Sequence, residues 1–224
     1  MLLSHRKKFI YLKTIKTAGT SVEIFFEPYC VPENSAHNEA HAVTETVSDA
    51  GIVGSRMELW KKEHKFYSHM RAAEVRDAVG EAVFNAYFKF CIIRNPFDKA
   101  VSFFWWTQFK KPATWDDLNK APFPAVKAAF GKFMETARLP VDRDIYSIDG
   151  APVVDAFIRF ENLNADLQEV CGRLGIERPS DEIGTYKSGM RVRPEPYRDY
   201  FDARAEATVR SAYAWELENL DYEF

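Results

Sequence analysis

Residues 9–26 read FIYLKTIKTAGTSVEIFF, and this stretch decides the fold class. Its first four residues, Phe9–Leu12, form a short apolar run that is typical of a buried strand. A helix is predicted from about Thr20 to Phe26, and Pro28 ends it. A strand, a polar loop and a helix in immediate succession indicate the βα unit of an α/β protein.

Residues 90–104, FCIIRNPFDKAVSFF, repeat this arrangement. The apolar run Phe90–Ile93 predicts the clearest buried strand in the chain. Asn95 is a favoured N-cap and Pro96 is a favoured first helical residue, so a helix is predicted to follow at once. In such folds ligands bind beyond the carboxyl ends of the strands, and both polar loops lie at such ends.

The remaining pattern predicts one domain over residues 1–224, with a central parallel sheet flanked by helices. Residues 29–65, which are polar and weakly helical, and residues 107–140 are interpreted as variable excursions. The second excursion contains one predicted helix, 125–137. Other predicted elements are a helix over 72–79, a hairpin turn at Asp149-Gly150, a strand over 157–160, a helix from 163 that ends near Gly175, and a last helix through Val209, Tyr213 and Leu217.

Composition favours an ordinary globular domain, because 46% of the 224 residues are apolar and 28% are charged. The formal net charge of −3 argues against a nucleic-acid-binding protein, which usually carries a large basic excess. The three cysteines are an odd, sparse set, so we expect a reducing compartment. No apolar leader follows Met1, and no apolar run approaches the ~20 residues of a membrane helix. The sequence therefore predicts a soluble, cytoplasmic protein.

The loop after the first strand, Lys16–Ser21, has the composition of an anion site. Gly19 allows close backbone approach, and free N–H groups at a helix start hold phosphate or sulfate. Two hydroxyl residues add donors, and Lys16 adds a positive charge; more basic residues crowd the stretch from His5 onward. From the residues alone, an ordinary capped strand-to-helix turn fits about as well. The loop is not a Walker A motif, because its lysine precedes its glycine.

Arg94 and Ser102 form a second candidate anion site. Arg94 follows the predicted strand, and its planar fork matches the oxygens of a phosphate. Ser102 lies about two turns along the next helix. From the residues alone, the favoured interpretation is a structural ion pair between Arg94 and Asp98 with a solvent-facing Ser102.

Together the two motifs resemble those of the sulfotransferases that use 3′-phosphoadenosine 5′-phosphosulfate (PAPS), in the branch that includes carbohydrate sulfotransferases. The family's 5′-phosphosulfate loop reads Pro-Lys-Thr-Ala-Gly-Thr-Ser, and this chain has Ile15 in place of the proline. The family's 3′-phosphate site is an Arg at a strand end with a Ser eight residues on, as in Arg94 and Ser102. The resemblance includes Phe160–Leu163 and Tyr197–Asp202, and so covers nearly the whole chain.

This resemblance implies a P-loop nucleotide-kinase-like fold and transfer of the sulfuryl group of PAPS to an acceptor hydroxyl, carried for example by a saccharide. The product nucleotide is 3′-phosphoadenosine 5′-phosphate (PAP), and the reaction requires no metal. The implied nucleotide-binding residues are Lys16, Thr17, Ala18, Gly19, Thr20 and Ser21 at the 5′ end, and Arg94, Ser102, Lys187, Ser188 and Arg191 at the 3′-phosphate. For the last three, a solvated surface loop is an equally good interpretation.

Two residues are candidates for catalysis. Lys16 is assigned to the leaving group, because charge builds on the leaving oxygen as in phosphoryl transfer. His69 is assigned as the base, because its ordinary pKa suits proton transfer near neutrality and related enzymes often have a His or Glu at this junction. The alternative for His69 is a helix cap or a packed side chain, and Glu23 is the backup base.

The acceptor is not identified by the sequence. Three tryptophans and two lysines either line a sugar or anionic-glycan site or belong to the core and the solvated surface: Trp105, Trp106, Trp115, Lys110 and Lys111. Two other functions stay open, a nucleotide or small-molecule kinase on the related fold and a non-catalytic PAP-binding protein. The missing Walker A motif argues against the kinase, and only turnover separates the PAP-binding protein from the enzyme.

Overall fold

The computed structural model describes residues 1–35, 44–56, 64–177, 189–191 and 193–224. The chain divides into two compact units. Unit 1 consists of residues 1–93 and 142–186, and unit 2 consists of residues 94–141 and 187–224. Two compact units can belong to one domain, so the single domain over 1–224 stays a prediction.

Strands and helices alternate along much of the described chain. The strands are β1 (Leu2–Ser4), β2 (Phe9–Leu12), β3 (Thr46–Ser48), β4 (Gly51–Val53), β5 (Phe88–Ile93), β6 (Ser147–Ile148), β7 (Ala151–Pro152) and β8 (Ala156–Arg159). The helices are α1 (Gly19–Phe26), α2 (Ala72–Val79), α3 (Glu81–Ala86), α4 (Pro96–Phe109), α5 (Pro112–Lys120), α6 (Phe123–Thr136), α7 (Arg143–Tyr146), α8 (Leu163–Leu174), α9 (Ala203–Ala212) and α10 (Ala214–Asn219). The α/β class is confirmed.

The central sheet lies in unit 1 and has the order β3-β4-β1-β2-β5-β8. Its half β2-β5-β8 is parallel, as predicted. The other half is antiparallel, so the predicted central parallel sheet is present in part and the sheet as a whole is mixed. The reason is the length of the connections: β1 and β2 are joined by a short turn, as are β3 and β4, and parallel neighbours need a crossover of about a dozen residues.

Strands β3 and β4 fall inside the excursion over 29–65, so the described part of this polar, weakly helical stretch contains strands. The close approach of neighbouring backbones requires a glycine at the start of β4, because a Cβ at Gly51 would lie 2.0 Å from the carbonyl oxygen of Leu3. This part of the chain extends the central sheet instead of leaving it.

Helices cover the sheet of unit 1 through an apolar core. Phe26 of α1 packs against Phe9 and Phe90 of the sheet, with ring centroids 5.2 and 5.1 Å apart. Helix α8 adds Leu167 and Val170 to the same core. Gly175 ends α8 in the left-handed conformation, as predicted. The hairpin at Asp149-Gly150 is confirmed as well, with both φ angles positive, as a type I′ turn requires.

Unit 2 is helical. The side chain of Asn95 accepts the N–H of Phe97 at 3.0 Å and so caps α4, as predicted. One helix was predicted for residues 107–140, but α5 and α6 both form there. Pro112 and Pro124 lie in the first turns of these helices, where a missing N–H costs nothing, so they begin helices instead of breaking them. Within the described residues, no helix is long and apolar enough to span a bilayer.

Candidate functional site

The loop between β2 and α1 has an unusual backbone. Lys16 and Ala18 are both left-handed, with φ of 62° and 60°. The left-handed conformation costs free energy in a residue other than glycine. It persists only where the surrounding structure fixes it. Ala18 in the left-handed region followed by helical Gly19 is a pairing that aims successive backbone N–H groups into one concavity, the form of an anion-binding nest.

Gly19 is required by packing beneath this loop. A Cβ there would lie 2.9 Å from Cγ and 3.0 Å from Cε of Lys13, and 3.3 Å from Oη of Tyr11. The sequence assigned the glycine to close approach of a ligand. The structure gives a sufficient reason within the protein itself, because α1 sits directly on the Lys13 side chain.

Gly19→Ala is therefore expected to lower the free energy of unfolding by about 1–3 kcal/mol, the usual cost of overpacking. Chemical denaturation measures this change. Gly172→Ala is the matched control, because Gly172 also lies within a helix and a Cβ there meets nothing within 4 Å. The control is expected to be neutral or to stabilise by up to ~1 kcal/mol. A Gly19→Ala variant as stable as the control would contradict the packing role.

The hydroxyl groups of the loop differ in orientation. Thr17 is buried, and its Oγ1 lies 2.7 Å from Oγ1 of Thr14. Thr14 donates its own proton to the carbonyl of Ile92, and Oγ1 of Thr17 also donates to the carbonyl oxygen of Thr14 at 3.2 Å, so the hydroxyl proton of Thr17 is directed at Thr14. Thr17 can meet an anion only through its backbone, whereas the neighbouring Thr20 is partly exposed.

A buried ionic cluster lies next to the loop in unit 1. Glu23 of α1 is fully buried and pairs with Nζ of Lys13 and, at 3.0 Å, with Nε of Arg56. Arg56 also pairs with Glu27. Burial opposes the ionisation of Glu23, but the positive charges around it, Lys13 first, outweigh burial and lower its pKa to about 2. A fully buried carboxylate that is paired with Lys13 and Arg56 cannot meet an acceptor hydroxyl, which argues against Glu23 as the backup base.

Two cations of the basic stretch that begins at His5 bind carbonyl groups of the protein itself. Arg6 donates to the carbonyls of Pro28 and Val31 at 2.5 and 2.7 Å. Lys7 donates to the carbonyl of Gly175 at 2.7 Å, beyond the end of α8. These cations satisfy carbonyl groups at chain turns, a role that the sequence pattern did not indicate.

His69 lies three residues before α2 and also has a left-handed backbone, with φ of 65°. It is not the cap of that helix, because Arg71 is the N-cap residue. Its Nδ1 lies 3.0 Å from the carbonyl oxygen of Lys13. A carbonyl only accepts, so Nδ1 carries the proton and Nε2 of the neutral ring has the free lone pair. Burial, and then the charge of Lys13, lower the pKa of His69 to about 3.

The second candidate anion site lies in unit 2 around Asp98. Arg94 donates to Oδ2 of Asp98 from Nε at 2.8 Å and from Nη2 at 2.7 Å. Arg191 donates to Oδ1 of the same carboxylate at 2.8 Å. Ser102 follows Asp98 by four residues on α4 and so lies on the same helix face. Two guanidinium groups share one carboxylate, which leaves this cluster with a net positive charge.

The structural pairing of Arg94 with Asp98, favoured from the residues alone, is therefore present. Arg191, which lies 93 positions after Asp98 in the sequence, also contacts this pair. Lys187 and Ser188 lie outside the described residues. Nothing in the local sequence pattern indicated that Arg191 and Arg94 meet on one carboxylate; only the family resemblance gave them a common ligand.

The tryptophans near the end of α4 do not form an open platform. Trp105 is fully buried and donates to Oη of Tyr200 at 3.2 Å, so it belongs to the core. Trp106 stacks on Phe103, with ring centroids 5.6 Å apart. Nζ of Lys110 lies over the Trp106 ring, 4.1 Å from its centroid, in a cation–π contact. These contacts favour the structural interpretation over an acceptor site at this position.

The structure thus groups the predicted residues into two clusters. Lys16–Ser21 and His69 lie in unit 1, where the Lys13 backbone leads into the loop and accepts the His69 hydrogen bond. Arg94, Ser102 and Arg191 lie in unit 2. No cluster of three or more His, Cys, Asp or Glu residues in the described ranges could hold a metal ion. When the chain was compared with known proteins, no family model, no curated protein and no solved structure matched it.

Proposed function

We propose that this chain is a PAPS-dependent sulfotransferase with a P-loop nucleotide-kinase-like core. The observation that carries the proposal is the loop Lys16–Ser21, whose sequence resembles the family's phosphosulfate loop and whose left-handed Ala18 precedes the first helix. An anion-binding loop of this kind after the first strand of a parallel β-α unit supports binding of the 5′-phosphosulfate. From the sparse cysteines of the sequence we also propose a cytoplasmic location.

The proposed reaction forms one bond and breaks another. The acceptor oxygen attacks sulfur, the bond from sulfur to the 5′-phosphate oxygen breaks, and the acceptor proton passes to Nε2 of His69. PAP leaves with the negative charge on its 5′-phosphate, where Lys16 stabilises it. The tautomer of His69 supports this role, because its bond to Lys13 leaves Nε2 as the acceptor.

The 3′-phosphate is assigned to Arg94, Arg191 and Ser102, and by resemblance to Lys187 and Ser188. A guanidinium group can donate two parallel hydrogen bonds to one phosphate. Two guanidinium groups close together therefore suit a phosphate that carries two negative charges. This is the feature by which the proposed site distinguishes PAP from adenosine 5′-phosphate.

Isothermal titration with PAP, followed by transfer assays with labelled PAPS and a panel of hydroxyl acceptors that includes saccharides, tests the proposal. PAP is expected to raise the melting temperature, because a ligand that binds only the folded state stabilises it. ATP with Mg²⁺ is expected to have no such effect. Stabilisation by ATP–Mg²⁺ and not by PAP would favour the kinase, and PAP binding without turnover on any acceptor would favour the non-catalytic protein.

Arg94→Ala is expected to weaken PAP binding by about 1.5–3 kcal/mol, the worth of a hydrogen-bonded charged contact. Its fold should survive, because Asp98 keeps its bond to Arg191. Binding of adenosine 5′-phosphate, which lacks the 3′-phosphate, should change little. Arg204→Ala is the matched control, since Arg204 forms an exposed ion pair with Glu135 in the same unit. Equal PAP affinity in Arg94→Ala and wild type would overturn the 3′-phosphate assignment.

A further inference from the structure

One hydrogen bond joins the start of the loop to a distant part of unit 1. The N–H of Ile15 donates to Oδ2 of Asp142 at 3.0 Å, across 127 positions of sequence. Asp142 is buried, with 3% of its surface exposed. A buried backbone N–H must find its hydrogen-bond partner within the protein, and here that partner is the carboxyl group of Asp142. The chain therefore holds the residue that precedes Lys16 with a single buried side chain.

The orientation of Asp142 is informative because the residue has an alternative. It is the N-cap of α7, where an aspartate normally accepts an N–H of its own helix. Its side chain makes no such capping bond. The carboxylate reaches instead to Ile15.

The Asp142 bond belongs to a set of three that hold consecutive residues. The carbonyl of Lys13 accepts from His69, and the hydroxyl of Thr14 donates to the carbonyl of Ile92. Ile15 donates to Asp142. Directly after these three hydrogen-bonded residues, the backbone adopts the left-handed conformation at Lys16. A left-handed lysine is retained only where its neighbours determine the conformation, and the Asp142 bond acts on the residue next to it.

We infer that Asp142 is a positioning residue for the anion loop: by holding the Ile15 N–H it sets the direction in which Lys16 and the following N–H groups face. The inference rests on the proposed function for its ligand. The inference also gives Ile15 a role, because a proline at this position would have no N–H to donate to the Asp142 carboxylate.

Amide hydrogen exchange and PAP titration on four variants test this inference: Asp142→Ala, Asp142→Asn, Ile15→Pro and the double variant Ile15→Pro/Asp142→Ala. Asp142→Ala is expected to expose the Ile15 amide to exchange and to weaken PAP binding about tenfold. Asp142→Asn keeps an oxygen acceptor and should stay within about threefold of wild type. In the Ile15→Pro background the donor is gone, so Asp142→Ala should change PAP affinity little further.

Asp144→Ala is the matched control, because Asp144 lies on the same short helix, is 71% exposed in its side chain and pairs only loosely with Arg71 at 3.7 Å. Protection of the Ile15 amide that survives in Asp142→Ala would overturn the inference, and so would unchanged PAP affinity in that variant. A wild type that binds no PAP would overturn the proposed function. The exchange data would then still decide whether Asp142 holds the loop.

Discussion

Lys16→Ala is expected to lower sulfuryl-transfer turnover about 100- to 1,000-fold, while PAP affinity falls much less. The reason is that the negative charge on the 5′-phosphate oxygen grows as the bond to sulfur breaks. An ammonium group directed at that oxygen therefore interacts more strongly with the transition state than with the bound nucleotide. Single-turnover rates and PAP titration on the same preparations measure the two effects separately.

The backbone conformation of Lys16 makes alanine a suitable replacement. Lys16 is left-handed, and alanine meets the same steric cost there as lysine does, so the variant removes the side chain without relieving the loop. Glycine would relax the loop and is the wrong choice at this position. Lys65→Ala, at an exposed lysine elsewhere in unit 1, is the control for loss of a positive charge. Equal losses of rate and affinity in Lys16→Ala would make Lys16 a simple phosphate contact.

Local sequence patterns predicted the elements whose determinants are themselves local. Asn95-Pro96 specified the start of α4, Asp149-Gly150 specified a two-residue hairpin, and Gly175 specified the end of α8. In each case the backbone conformation depends on one or two residues with special preferences. Sequence reasoning is strong for such features because no distant partner is involved.

Features that depend on distant partners were missed. Strands β1, β3 and β4 have three residues each, too few for a period of two to be recognised, and they are strands because they pair with one another. The charges of Glu23 and Arg56 lie 33 positions apart, so nothing in either neighbourhood indicates a buried ion pair.

The candidate site shows the same division. The loop Lys16–Ser21 and the pair Arg94 and Ser102 could be proposed from the sequence, since each is a compact motif after a strand. Asp142 was not found, because its partner is a backbone N–H, and any residue other than proline supplies one. The packing role of Gly19 was hidden for a similar reason: it depends on the path of the Lys13 side chain.

His69→Asn is expected to lower turnover about 100- to 10,000-fold, the range for loss of a general base, with PAP affinity unchanged. Asparagine suits this position for two reasons. It tolerates the left-handed backbone better than most residues, and its amide can still donate to the carbonyl of Lys13. It has no group that takes a proton as Nε2 does. The variant therefore isolates proton transfer, whereas His69→Ala also removes the structural bond.

The pH dependence of the wild type follows from the lowered pKa of His69. An ordinary His pKa of 6.5 would make turnover rise with pH as the imidazole loses its proton near neutrality. Because its pKa in the folded protein is about 3, the His69 ring is neutral throughout the neutral pH range. At saturating PAPS, turnover should therefore change little between about pH 6.5 and 8. The unfolded chain, with an ordinary His pKa of 6.5, takes up the proton first, so His69 destabilises the fold as pH falls below that value.

Transfer assays on His69→Asn and on the control His64→Ala, together with NMR titration of the His69 ring, complete the test. The control should keep near-normal turnover, since His64 lies only five positions away but has no assigned role. A ring that titrates near pH 7 would contradict the lowered pKa of His69. A folded His69→Asn variant with wild-type turnover would show that His69 is structural. The acceptor proton would then have to leave by another route, because Glu23 is committed to Lys13 and Arg56.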